Sequence, residues 1–481
     1  MNVTKRNPLL ALDVYKMGHM EQYAPGTEYV YSYLCARSSK NYQQVPFFGL
    51  QYYLDEYLNT QITREHAAEW LSVRNEILGG EASKEVTDKI YALADLGHFP
   101  IEILAVPEGT IVPAGNVMMT IRNTKPGFGW VVGFVESLLL KLWFPCTVAA
   151  TVKSYRDVVD DFFDKTVDEQ DHFLKDYMIH DFGYRGDTSE ESAMLSGAAH
   201  LLFSNGSDTV PALPFIREYY GGDNTDKAHI MASVPASEHS VMCSFGREGE
   251  LDAFNNMLDL YPTGLVSIVS DTFNIWDVLT KFMDEGLAER VLARDGKTVF
   301  RPDSGDPQTV LCGDDYRNIE YPSSCGVFGL LDKRFGSSVN SKGFSVLNPK
   351  VGVIYGDGMY LTRYKSILEK MKDQGLAASN LVIGVGGILR HHSRDTLGFA
   401  IKATQVVVNG VERPIEKDPI TDRTKKSHRG YMALVMGEDG QMKTVDGIPT
   451  YEEAKNYPRN LLRAPKHEEF TVIRDRARGV K

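Results

Sequence analysis

Six short stretches gather charged, aromatic and glycine residues in patterns able to do chemistry. In His180-Asp-Phe-Gly-Tyr-Arg-Gly186, Phe182 could offer a π-face to a flat ligand and Arg185 a fork of donors. In Ser207-Asp-Thr209, Asp208 could accept from an amide or cap the next segment, and capping is the commoner use. Ser233-Val-Pro-Ala-Ser-Glu-His-Ser240 sets His239 beside Glu238, a carboxylate able to tune or orient it; the roles of base, phosphate ligand and phospho-acceptor all stay open. In Arg301-Pro-Asp-Ser-Gly-Asp-Pro307, Arg301 could hold phosphate, and Asp303 ribose hydroxyls or a hydrated Mg²⁺. Gly356-Asp-Gly358 repeats that logic around Asp357. Gly384-Val-Gly-Gly387 resembles an amide nest for phosphate, a weak signal alone. It lacks the last glycine and the early position of a dinucleotide fingerprint. Cations gather late, at Arg390, Arg394, Lys402, Lys417 and Arg423-Thr-Lys-Lys-Ser-His-Arg429. A solvated loop is the ordinary reading of such a cluster, but beside Gly- and Asp-rich tips it favours a small polyanionic ligand. Adjacent His391 and His392 would face opposite ways on a strand and make a poor shared metal site. Together these residues suit a phosphorylated sugar plus something flat.

Three of the stretches fall where an apolar run ends in a polar or glycine-rich tip, and a fourth such run ends at Asp271. The runs are Leu265-Val-Ser-Ile-Val-Ser-Asp271, Thr298-Val-Phe-Arg-Pro-Asp303, Val351-Gly-Val-Ile-Tyr-Gly-Asp-Gly358 and Leu381-Val-Ile-Gly-Val-Gly-Gly387. Such runs fit buried parallel strands, and functional residues past their C-terminal ends favour an α/β barrel with its site on that face. A chain of 481 residues calls for two domains. Residues 149–392 read as the barrel-like domain; residues 1–148 plus 393–481 read as a second, α+β domain. Within the latter, residues 101–113 read as a hairpin turning at Pro107 to Gly109, continued by a strand at 117–122. A net charge of −12 argues against a nucleic-acid binder. The apolar segment 130–152 is broken by Glu136, Lys141 and Pro145, so a buried helix is expected there, not a membrane span. Five widely spaced cysteines predict reduced thiols, and the first residues lack an apolar run of signal-peptide length; the expected location is cytoplasmic.

Read together, the stretches resemble the nicotinamide phosphoribosyltransferases over nearly the full chain. The likeness runs through Leu12-Asp-Val-Tyr-Lys16, Tyr31-Ser-Tyr33 with Arg37, Val106-Pro-Glu-Gly109, residues 180–186, Gly206-Ser-Asp-Thr209, residues 233–240, 301–307 and 356–358, Arg394-Asp395 and Lys417-Asp-Pro419. The resemblance implies the irregular α/β barrel of the type II phosphoribosyltransferases with a second α+β domain formed by the N- and C-terminal segments. It implies a homodimer with shared active sites that joins nicotinamide to 5-phosphoribosyl 1-pyrophosphate in NAD salvage. By the same resemblance nicotinamide stacks between Phe182 and Tyr15 of the other subunit, Arg185 holds its carboxamide oxygen, and Asp208 accepts its N–H near Ser233. Arg301, Asp303, Gly356, Asp357, Gly386 and Gly387 position ribose and phosphate. Arg37, Arg394, Lys402, Lys417 and Lys425 handle pyrophosphate and ATP. His239, beside Glu238, is phosphorylated by the co-substrate ATP, and Asp271 and Asp303 are the acids expected nearest Mg²⁺. One departure is the glycine loop, a residue shorter than the family's three consecutive glycines. The neighbouring readings are a nicotinate phosphoribosyltransferase, against which Asp208 argues, and a non-catalytic ligand-binding protein on the same scaffold.

Overall fold

A computed structural model describes residues 7–37, 42–316, 321–417, 421 and 427–480. The chain forms two compact units, one of Thr151–Phe215 and Lys227–His391, the other of Met1–Ala150, Ile216–Asp226 and His392–Lys481.

In the first of these, five short strands pair in parallel in the order Ile179–Asp181, Leu381–Val385, Val351–Tyr355, Asp295–Arg301, Thr263–Val269. They are rich in Val, Ile and Leu because a parallel strand is covered on both faces, and Val266, Ile268, Phe300, Val353, Leu381 and Ile383 are all buried. Single parallel bridges, Asp181 to Ser207, Gly206 to Ala232 and Ala236 to Ser267, carry the sheet through two irregular segments and back to Thr263–Val269. The ring closes as an irregular α/β barrel, so every strand end named above opens on one face.

The other unit is built on a five-stranded antiparallel sheet in the order Val411–Pro414, Ala400–Val408, Thr27–Cys35, Val117–Asn123, Ile101–Ala105. Its middle strand, from the N-terminal segment, pairs with Ala400–Val408 from the C-terminal one. Two expectations change here. Residues 101–113 are not a hairpin: Ile101–Ala105 pairs with Val117–Asn123, whereas Ile111–Pro113 pairs with Gln44–Pro46 in a separate sheet. The turn between them diverges because Glu108 is drawn inward, accepting from the N–H groups of Gly49 (2.8 Å) and Gln51 (2.6 Å) and from Tyr220 Oη (3.2 Å). Residues 216–226 also count with this unit, since Tyr220 stacks on Phe48 at 5.2 Å and bonds Glu108. The apolar segment becomes the helices Trp130–Leu139 and Trp143–Thr166, with Trp130, Val131, Phe134, Leu138, Leu139 and Leu142 buried. All five cysteines are free.

Burial raises the Glu108 carboxyl from 4.5 to about 7, although its hydrogen bonds pull the other way. Between those two values the folded chain binds more protons than the unfolded chain, so stability falls as pH rises through the window, by on the order of 3 kcal/mol. Glu108→Gln is expected to flatten that slope. Urea midpoints at pH 5 and pH 8 check it; an unchanged slope in the variant would place the titration elsewhere.

Candidate active site at the strand tips

Phe182 follows directly on strand Ile179–Asp181, its N–H donating to the Val385 carbonyl at 3.0 Å. Its ring lies over two glycines: a Cβ on Gly384 would sit 2.1 Å from Cδ2 and Cε2, and one on Gly356 would sit 3.0 Å from Cε2. The first glycine of the 384–387 loop is thus the seat of the aromatic ring. The loop then enters the 3-10 turn Gly387–Leu389 through Gly386 and Gly387.

Asp208 stands beside that ring pocket with its side chain 48% exposed. It is not acting as a cap. Its Oδ1 accepts from His180 Nε2 at 3.0 Å and from Ser233 Oγ at 2.5 Å. Burial alone would raise this carboxyl, but the His180 bond and charge and the Ser233 hydroxyl outweigh it and hold the group below its ordinary value. The His180 and Phe182 rings lie 5.2 Å apart, and Arg185 is exposed on the 3-10 turn Tyr184–Gly186. The result is an aromatic face, a held carboxylate, a hydroxyl and an exposed guanidinium, a set suited to a flat ring bearing a neutral amide.

Around the barrel, Asp271 is the carboxylate that orients His239, its Oδ1 3.2 Å from Nε2. Glu238, expected in that role from adjacency, instead accepts from Ser240 Oγ. Neighbouring residues in a chain end point apart, whereas strand Thr263–Val269 delivers Asp271 to the histidine through space. Asp271 Oδ2 is also occupied, by Asp303 N at 2.9 Å and Ser304 Oγ at 2.5 Å. Asp303 keeps only a loose 3.7 Å pairing with Arg301. Burial, followed by repulsion from Asp271 and Asp357, raises its carboxyl, with Arg301 and His239 pulling it down. Asp357 is exposed, and Gly356 lies between the Phe182 ring and Asp303, so ring pocket and acids adjoin. Among the described residues no group of three or more His, Cys, Asp or Glu is placed to hold a metal ion by itself.

The remaining expected residues lie in the other unit. Tyr15 is 59% exposed on the 3-10 turn Val14–Gly18 and shares a cavity of about 240 Å³ with Asp13, Glu136, Lys141 and Arg394. Lys402 lies opposite Tyr33 in the antiparallel sheet; burial, then the charges of Arg37 and Lys417, depress its ammonium. Those three cations therefore form one basic patch. Lys425 lies outside the described residues. Arg390, grouped by sequence with the ligand-binding cations, is buried in the barrel unit and paired with Asp181 and Asp187. His180 and Ser304 gained roles that sequence reasoning missed, since their partners lie 28 and 33 residues away.

A closed parallel barrel with acids, a histidine and a glycine loop at its tips, together with an antiparallel second unit, is the architecture of a type II phosphoribosyltransferase. Solved structures carry the same fold: nicotinate-nucleotide pyrophosphorylase from Pyrococcus furiosus (TM-score 0.60, 14% identity, covering 100% of this chain and 96% of that one) and human nicotinic acid phosphoribosyltransferase (0.58, 14%, 98% and 93%). Residues 177–457 match the profile of the nicotinate phosphoribosyltransferase (NAPRTase) family, and residues 7–103 that of the nicotinamide phosphoribosyltransferase N-terminal domain. Nicotinamide phosphoribosyltransferases from Acinetobacter baylyi (38% identical, 90% of this chain and 89% of the relative) and Xanthomonas campestris pv. campestris (39%, 89% and 87%) align almost end to end. The chain belongs to the nicotinamide phosphoribosyltransferase family, a family of pentosyltransferases.

Proposed function

We propose that the protein joins nicotinamide to 5-phosphoribosyl 1-pyrophosphate, giving nicotinamide mononucleotide and pyrophosphate, and that ATP drives the reaction through a phosphohistidine at His239. The observation that carries the substrate assignment is Asp208, held as a carboxylate by His180 and Ser233 beside the Phe182 ring. A carboxylate there accepts an amide N–H and repels a ring carboxylate. Arg185 takes the carboxamide oxygen. Asp303, Asp357 and Arg301 hold ribose and phosphate with the amides of Gly386 and Gly387. As the bond from ribose C1 to the pyrophosphate oxygen loosens, positive charge builds at C1 and the acids of this face stabilise it, while the nicotinamide ring nitrogen closes on C1 to form the glycosidic bond and pyrophosphate leaves with the electron pair.

Mg²⁺ suits this face through Asp303, whose loosely paired carboxyl sits among like charges, together with the pyrophosphate oxygens, and there it would neutralise the leaving group. Asp271 is the poorer ligand because both of its oxygens already accept from protein. Its bond to His239 instead suits a phospho-acceptor, fixing the tautomer that leaves the other ring nitrogen nucleophilic. Arg37, Lys402 and Lys417 form a basic patch fit for the ATP and pyrophosphate phosphates, with Arg394 as a further cation. The exposed Tyr15 ring is available to cover nicotinamide in a second copy's site, making the active unit a homodimer.

Mononucleotide formation with and without ATP tests the reading. Wild-type protein is expected to synthesise nicotinamide mononucleotide faster with ATP and to acquire an acid-labile phosphate. His239→Ala is expected to keep only a slow, ATP-independent synthesis. ATP acceleration persisting in the variant would remove His239 from the phospho-acceptor role.

A further inference from the structure

Arg390 follows the 3-10 turn Gly387–Leu389 of the proposed phosphate loop, yet its side chain is 2% exposed and reaches no solvent-facing ligand position. Its Nη1 and Nη2 bond the two oxygens of Asp181 at 2.7 and 2.8 Å, and its Nε bonds Asp187 at 3.0 Å. Asp181 is the residue before Phe182, and it also accepts from Gly183 N and Thr209 Oγ1, both at 2.8 Å. Asp187 closes the turn that carries Arg185 and is held by Ser196 Oγ at 3.0 Å. One guanidinium therefore ties the phosphate loop to both ends of the ring-binding loop and, through Thr209, to the neighbour of Asp208. The packing leaves no slack. A Cβ on Gly183 would fall 2.4 Å from Arg390 Nη1, and one on Gly186 would fall 2.8 Å from the Gly387 Cα.

Buried ion pairs are weak devices for stability, because well-packed apolar residues of similar volume often do as well. Bidentate Arg–carboxylate pairs do fix geometry. We propose that Arg390 is a positioning residue that locks the ring-binding and phosphate-binding loops into one body, so that the two substrates' subsites are set together. The proposal rests on the phosphoribosyl transfer above and adds a residue that touches neither substrate. Asp181 stays ionised in support of the lock: burial would raise its carboxyl, yet the Arg390 charge and bonds hold it at about 2.

Arg390→Lys keeps the charge and loses the fork; Asp187→Asn keeps an oxygen for Nε but removes the charge of that arm, and leaves the Asp181 pairing. Both are to be compared with Arg294→Lys, which perturbs a buried guanidinium in the same unit bonded to the carbonyls of Tyr261, Thr263 and Lys297, at the strand starts and so at the barrel end opposite both loops. The expected result is that Arg390→Lys raises KM for nicotinamide and for 5-phosphoribosyl 1-pyrophosphate together, each about tenfold, with a smaller fall in kcat. Asp187→Asn should shift both in the same direction by less, and Arg294→Lys should lower Tm with both KM values unmoved. A lowered Tm with unchanged KM values in Arg390→Lys would make the residue merely structural, and a rise in only one KM would refute the locking. If Arg390→Lys does not fold, Asp187→Asn decides by the same criteria. Calorimetric binding of nicotinamide and of ribose 5-phosphate separates this from the functional reading. Wild-type protein that binds neither overturns the function, whereas wild-type binding with unlinked losses in the variants overturns only the lock.

Discussion

Asp208→Asn is expected to cut the preference for nicotinamide over nicotinic acid by about a thousandfold in kcat/KM. Two terms add. A nicotinate carboxylate about 4 Å from the Asp208 charge pays roughly 4 kcal/mol at an effective dielectric of about 20, and asparagine removes that repulsion. Nicotinamide loses a charge-assisted acceptor, typically worth about 1.5–3 kcal/mol. Since about 1.4 kcal/mol corresponds to tenfold in rate, a thousandfold change asks for only about 4 kcal/mol, well inside the sum of the two. His180 and Ser233 are donors to Oδ1 and can serve an asparagine oxygen equally well, so the fold around the site should survive. Steady-state kinetics with each substrate give the answer; a ratio within about threefold of wild type would mean that Asp208 does not read the ring substituent. Because the folded chain holds this carboxyl below its ordinary value, wild-type discrimination should also persist as the pH is lowered toward 5.

The second large effect is expected from Gly384→Ala. The added methyl would lie 2.1 Å from two ring carbons of Phe182, closer than any non-bonded contact allows, and Gly356 lines the same ring so closely that a Cβ there would sit 3.0 Å from Cε2. The ring cannot retreat and must tilt into the space meant for substrate. A shift of about 1 Å in a binding group can cost about a hundredfold, and forcing a methyl into a packed site costs about 1–3 kcal/mol of stability. KM for nicotinamide should rise by about two orders of magnitude, with a fall in Tm of a few degrees. A variant that folds and keeps the wild-type KM would show that the face of Phe182 turned away from Gly384 is not where the ring stacks.

The barrel was readable because its strands are buried on both faces and so appear as unbroken apolar runs. All four runs singled out, ending at Asp271, Asp303, Gly358 and Gly387, are strands of the parallel sheet. The two segments that complete the ring, around Ser207 and between Ala232 and Ala236, make only single bridges and leave no periodic signal. Residues 101–113 misled for a local reason. A Pro-Glu-Gly turn between two apolar runs looks like a hairpin, and nothing in its neighbourhood says that Glu108 is buried against Gly49 and Gln51.

At the site, residue types were legible and partnerships were not. His239 was visible as a reactive residue, but its carboxylate is Asp271, 32 residues on, and not the adjacent Glu238. Gly384 resembled part of a phosphate nest, whereas its missing Cβ seats Phe182. Arg390 counted as one more cation near a glycine loop until its burial with two aspartates showed that it has no charge to offer a ligand. Pairings across a barrel end depend on strand order, which spacing along the chain does not encode.

The central claim is that a carboxylate fixed beside the Phe182 ring selects a neutral amide. Its most direct test is the ratio of kcat/KM for nicotinamide and nicotinic acid on the wild-type protein, with 5-phosphoribosyl 1-pyrophosphate saturating. The account predicts a preference for nicotinamide of at least about a hundredfold, which needs about 2.7 kcal/mol. Comparable values for the two substrates, or a preference for nicotinic acid, would contradict it.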